Sequence, residues 1–163
     1  KMKQIKIKFL VLLFFLTSCG FSPIYDAKKN TDFNIQVTEL LGDRDMNNLI
    51  KSNLKKYSDS SKAKLFKVKI NSTINKRSLA KDTTGKTTDY RIEVTYNFKI
   101  DNEKLSKKIN ITETFDYKNI EDVIEFIKYE NTVKQNIANI ASQKLISQIM
   151  RIEWLRNLLN YKK

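Results

Sequence analysis

Few side chains in this sequence are equipped for chemistry. Cys19 is the only thiol and there is no histidine, so the usual imidazole base, the catalytic thiolate and the soft ligands of a zinc site are missing. Carboxylate, lysine, tyrosine and hydroxyl chemistry is what remains. Glu113 and Asp116 stand three residues apart and invite comparison with an acid-base pair. No glycine-rich loop or nucleophile motif stands near them, and carboxylates at the end of a strand ordinarily solvate an exposed face. The expectation is a protein that is not an enzyme and that needs neither metal nor cofactor.

The setting of Cys19 is more informative than its thiol. Lys1, Lys3, Lys6 and Lys8 precede an unbroken apolar run from Phe9 to Leu16, and small polar residues follow, the three parts of an export signal. The run is too short for a membrane-spanning helix, which needs about 20 residues. It ends in Leu16-Thr17-Ser18-Cys19, which resembles the lipobox at which lipoproteins are cleaved and lipidated. Residues 1–18 are therefore expected to be a signal peptide and Cys19 the site of lipid attachment. Removing them leaves 145 of the 163 residues, enough for one domain with a single core.

The leader takes four of the 31 basic side chains with it, leaving 27 against 18 acidic ones, a net charge of +9. Only five of these are arginines, and the wealth of Lys, Asn and Ile is the mark of an AT-rich genome, which accounts for part of the charge without any partner. An exported basic surface points to anionic lipid, lipopolysaccharide or an acidic protein surface, and away from nucleic acid.

The elements that must position such a surface follow from periodicity. Residues 19–32, with the only proline at Pro23, read as a lipidated tether, and 33–163 as one domain. Phe33, Ile35 and Val37 alternate with polar residues as in a half-buried strand. Asp43 or Asp45 can cap a helix carrying Met46, Leu49, Ile50, Leu54 and Tyr57. Phe66, Val68, Ile70 and Ile74 mark a second strand, and Thr83-Thr84-Gly85-Lys86 a loop. The clearest strand is the third, where Tyr90, Ile92, Val94, Tyr96, Phe98 and Ile100 alternate without a miss. Leu105, Ile109, Ile111 and Phe115 give the fourth an apolar face interrupted by Lys107 and Glu113. From Asn119, paired with Asp122 as in a capping box, a helical stripe runs through Val133, Ile137, Ala141, Leu145 and Ile149. Its length, about 60 Å to Tyr161 at about 1.5 Å per residue, predicts either a bend near Tyr129–Thr132 or an overhang. The order β-α-β-β-β-α predicts an α+β two-layer sandwich, a largely antiparallel four-stranded sheet with two helices on one face and water on the other.

Three stretches carry a resemblance. Cys19-Gly20-Phe21-Ser22-Pro23-Ile24-Tyr25, the strand Thr87-Thr88-Asp89-Tyr90-Arg91-Ile92-Glu93-Val94-Thr95-Tyr96, and Phe115-Asp116-Tyr117 leading to Glu130 and the last helix are similar to the opening, central and closing segments of the LptE family of lipopolysaccharide-assembly lipoproteins. The resemblance implies a non-enzymatic partner and plug of an LptD-type outer-membrane barrel, which helps deliver lipopolysaccharide to the cell surface. It also implies that basic residues at the turn between the second and third strands and near the start of the last helix touch lipopolysaccharide; the nearest here are Lys81, Lys86 and Lys128. Gly20, where enteric lipoproteins kept at the inner membrane carry Asp, favours the outer membrane, with the domain on its periplasmic side. The alternative is a pilotin-like or transporter-auxiliary lipoprotein using the same fold for another partner.

Overall fold

In a computed structural model of the chain, residues 31–161 are described, with side chains as far as Leu155. Six elements follow in the expected order: β1 (Phe33–Gly42), α1 (Arg44–Lys55), β2 (Lys64–Lys81), β3 (Thr87–Asn102), β4 (Leu105–Lys118) and α2 (Val123–Tyr161). The strands form one sheet in the order β1-β2-β3-β4. β2, β3 and β4 are antiparallel neighbours, while β1 runs parallel to β2. The fold is α+β, and the sheet is mixed. The parallel pair arises because α1 is the connection between β1 and β2, and a helical crossover returns the chain in its original direction.

The start of α1 shows how local chemistry sets the corner. Gly42 adopts φ +83°, and a Cβ there would lie 2.0 Å from the Ser72 carbonyl oxygen, so only glycine fits. Asp43, in extended conformation, accepts from the Met46 amide at 2.8 Å and opens the helix. Met46, Ile50 and Leu54 then face the sheet with the buried Asn47. Its amide donates to the Leu41 carbonyl at 2.7 Å, and the Ser72 hydroxyl lies 2.9 Å from its Oδ1. A buried polar group is thus satisfied by the two strands it joins.

The core is one layer between helices and sheet. Ile92, Val94, Tyr96, Phe98 and Ile100 of β3 are all buried, with Phe66, Val68 and Ile70 of β2, Phe33 and Ile35 of β1, and the α2 stripe Val133, Ile137, Ala141, Leu145 and Ile149. β1 departs from simple alternation at Thr38, where a bulge shifts the register between Val37 and Glu39. Val37 pairs with Val68 before it and Leu40 with Ile70 after it, so the extra residue keeps apolar side chains facing inward on both sides of the irregularity.

Two expectations are corrected. Asn119 does not cap the last helix. Asp122 Oδ1 accepts from the amides of Ile124 and Glu125 at 2.8 and 2.9 Å, while Asn119 ties back to β3 through the Thr87 and Thr88 carbonyls. Phe115 is not a core residue: it is 37% exposed, against 3% for Tyr117. β4 is an edge strand, and near its end Tyr117 meets the rings of Tyr90, Phe126 and Tyr129. The long helix is continuous from Val123 through Tyr129–Thr132 to Tyr161.

The sheet itself is long enough to accompany much of α2. Lys64 bonds Glu153 at 3.0 Å, and Lys76 bonds Glu130. Along β2 the two lysines stand about 40 Å apart at about 3.3 Å per residue. Along α2 the two glutamates stand about 35 Å apart at about 1.5 Å per residue. The near-equal lengths let the helix, which packs on α1 and β4, run opposite in sense to β2 and meet it at these two pairs.

Candidate functional site

Cys19, the expected lipid attachment site, lies outside the described residues. The lysines do not. β2 and β3 continue past the helical core into a long hairpin whose loop, Asp82–Lys86, is organised by one carboxylate. Asp82 Oδ1 accepts from the Thr84 amide, the Lys86 amide and the Thr84 hydroxyl at 2.8, 2.9 and 2.6 Å. Hydrogen bonding by the Thr84 hydroxyl, foremost, holds the Asp82 carboxyl below its ordinary range against the opposing effect of desolvation. Gly85, at φ +86°, completes the turn.

The loop is brought to the beginning of α2. Lys86 Nζ lies 3.1 Å from Glu121 Oε1, and the Asn119 bonds to Thr87 and Thr88 hold the connection. Lys86 is thus already paired within the protein. Lys81, exposed at the end of β2, and Lys128, exposed on α2, have no ion pair among the described residues. Sequence spacing does not reveal what lies beside them. Val123, Ile124 and Ile127 on the first turns of α2 are 69%, 65% and 53% exposed. Lys128 follows Ile124 by four residues and so continues the same helical face. Nearby, a shallow depression of about 610 Å³ has Leu79, Ala80, Ile120 and Tyr129 among its apolar lining, and Asp89, Asp116 and Lys118 among its polar lining. The end of the molecule therefore combines exposed ammonium groups with exposed aliphatic side chains.

A second arrangement at this end escapes sequence reading. Lys76 follows Ile74 at the next inward-facing position of β2, opposite Ile92. Its ammonium lies 4.6 Å from the ring centre of Tyr90, 4.8 Å from Phe126 and 5.8 Å from Tyr117, and it bonds Glu130. Tyr117 donates to the same carboxylate at 3.1 Å, and Lys134 reaches its other oxygen at 3.1 Å. Burial works to raise the Glu130 carboxyl, but the hydrogen bonds from Lys76, Lys134 and Tyr117 prevail and hold it below its ordinary range. Burial and the adjacent Glu130 charge push the Tyr117 phenol upward. The cation is caged by aromatic faces and a carboxylate, which fixes the start of α2 on the hairpin. The signal for it was a lysine at an inward position of an otherwise apolar alternation.

The carboxylate pair dissolves. Glu113 and Asp116 have opposite parity on β4 and face opposite sides of the sheet. Lys144 Nζ lies 2.5 Å from Glu113, and Arg91 grips Asp116 with two bonds of 2.6 Å. Among the described residues there is no cluster of metal-ligating side chains, and no helix is long and apolar enough to cross a membrane.

The fold has solved counterparts. Rare lipoprotein B from Shewanella oneidensis superposes with a TM-score of 0.54 at 12% identity, covering 74% of this chain and 99% of that one. A minor lipoprotein from Acinetobacter baumannii gives a TM-score of 0.51 at 15% identity, covering 74% and 93%. At such identities the likeness establishes the fold these lipoproteins share with this chain. No family model matches the sequence, and no curated protein does.

Proposed function

We propose that the chain is an outer-membrane lipoprotein, anchored through lipid on Cys19 with its domain in the periplasm, that serves lipopolysaccharide assembly without catalysing a reaction. Its protein partner in this reading is an LptD-type barrel, in which the domain sits as a plug. One observation carries the lipopolysaccharide part: Lys128 shares a helical face with exposed Ile124, among exposed Val123 and Ile127, and the Lys86–Glu121 bond brings the hairpin loop that follows Lys81 to the same helix start. An anionic amphiphile offers phosphates to ammonium groups and acyl carbon to aliphatic side chains, so this surface can engage both halves of one molecule. The fold shared with solved lipoproteins and the Leu16-Thr17-Ser18-Cys19 segment support the anchored location.

The test is binding of lipopolysaccharide by the full chain at low salt. Lys81→Glu with Lys128→Glu should weaken it by roughly tenfold and flatten its salt dependence, through lost Coulomb attraction. Lys86→Glu, which also opposes Glu121, should add to the loss. Ile124→Ser with Ile127→Ser should weaken binding without altering the salt dependence. Unchanged affinity in both double variants sinks the site. Purification from envelope membranes decides the partner: a copurifying barrel supports the translocon role, and a secretion-system subunit in its place favours a pilotin-like one.

A further inference from the structure

The open face of the sheet is turned away from both helices and is polar across three strands. Strand register aligns its side chains in rows across β2, β3 and β4. Thr73, Thr95 and Thr112 form one row, Asn71, Asn97 and Asn110 the next, and Lys69, Lys99 and Lys108 the one after. The Thr95 and Thr112 hydroxyls lie 2.9 Å apart, and Asn110 donates to Asn97 at 2.8 Å, so neighbouring polar groups are held in fixed orientations. The three lysines are exposed and directly opposite one another. Like charges so placed destabilise a sheet, and neighbouring strands, about 4.8 Å apart, put the whole row within roughly 10 Å.

Two carboxylates offset part of this charge. Glu39 lies 2.6 Å from Lys69, and Asp101 lies 3.5 Å from Lys99. Lys108 has no ion pair among the described residues, and Lys67, opposite Asp101, adds a further cation. The cluster keeps an excess of positive charge. A shallow depression of about 570 Å³ lies over the lysine and asparagine rows, with Glu39, Leu41, Ile70, Phe98 and Ile109 also lining it. The face has no aromatic side chain across these rows, so it lacks the anchors of a protein interface and the stacking platform of a single-stranded nucleic-acid site.

We propose that this face binds an acidic polysaccharide. The lysine row neutralises its carboxylates or phosphates, and the asparagine and threonine rows exchange hydrogen bonds with its hydroxyls. The site stands apart from the hairpin lysines: it is on the other side of the sheet from α2, and Lys99 is about 40 Å of strand from Lys86 at about 3.3 Å per residue. It does not depend on the proposed role in lipopolysaccharide assembly.

Oligogalacturonate, carboxylated on every sugar, is a suitable probe, titrated into the full chain by calorimetry at low and at moderate salt, with dextran and a DNA duplex alongside. Expected are saturable binding of oligogalacturonate that weakens with salt, no binding of dextran, and weaker binding of DNA. Lys69→Gln/Lys99→Gln/Lys108→Gln should reduce affinity by roughly tenfold or more and should change the melting temperature little, because it removes opposed like charges together with the exposed Lys69–Glu39 and Lys99–Asp101 pairs. Asn97→Ala/Asn110→Ala should weaken oligogalacturonate without changing its salt dependence, and Lys81→Glu/Lys128→Glu should leave it unchanged. Failure of the unaltered chain to bind, equal binding by the folded triple-lysine variant, equal affinity for dextran, or tighter binding of DNA would each overturn the proposal.

Discussion

Phe98 and Thr95 stand three positions apart on one strand and differ in almost everything that sets the cost of truncation. Phe98 is buried and stacks on Tyr96 at 5.7 Å, whereas the Thr95 hydroxyl meets only Thr112 on the open face. Phe98→Ala should cost about 3–5 kcal/mol in urea unfolding, and Thr95→Ala less than about 1 kcal/mol; comparable losses would mean the strand register is wrong. Glu130 supplies a pH test. Its folded carboxyl is held below the ordinary value, so its contribution to stability is complete above the unfolded pKa and is lost as pH falls through the lower folded one. Stability of the unaltered protein should therefore drop more steeply between about pH 5 and 3 than that of Glu130→Gln, as followed by thermal melts at stepped pH. At this scale the sequence announced Phe98 openly, because every second residue from Tyr90 to Ile100 is apolar. It concealed Glu130, whose partners Lys76 and Tyr117 come from two different strands.

Whole elements were legible where one face is buried and the other wet. β3 and the inward stripe of α2 meet that condition, and the order of all six elements followed from it. The outer half of β2, Asn75–Lys81, carried no such signal: its residues are exposed on both faces, and the apolar Leu79 and Ala80 are neighbours and so do not alternate, so nothing distinguished a strand from the loop beyond it. Backbone pairing with β3, and not burial, extends it. The bulge at Thr38 was hidden because an extra residue leaves no compositional mark. The entry to α1 is the sharpest test at this scale. Asp43→Ala should cost about 1 kcal/mol by loss of the cap. Gly42→Ala should cost roughly 1–3 kcal/mol, because it strains a positive φ and drives a methyl group onto the Ser72 carbonyl. Both are read from chemical denaturation midpoints, and an innocuous Gly42→Ala would show that the corner relaxes freely.

For the molecule as a whole, the anchor and the domain are separable predictions. Acyl chains contribute about 0.8 kcal/mol per buried methylene, so Cys19→Ala should move the protein from the membrane pellet to the soluble fraction while its melting temperature stays put; equal membrane association would refute the anchor. The domain carries a different constraint, set by the two ion pairs that tie α2 to β2, Lys64 with Glu153 and Lys76 with Glu130. Between those pairs, a strand residue added or removed reverses every later side chain, so changes must come in twos. Each such change, about 6.6 Å of strand, calls for about four residues of helix. Through descent, this stretch is expected to hold its length while its residues drift, and insertions and deletions should collect in the Asp82–Lys86 loop, where chain can be gained or lost without a matching event elsewhere.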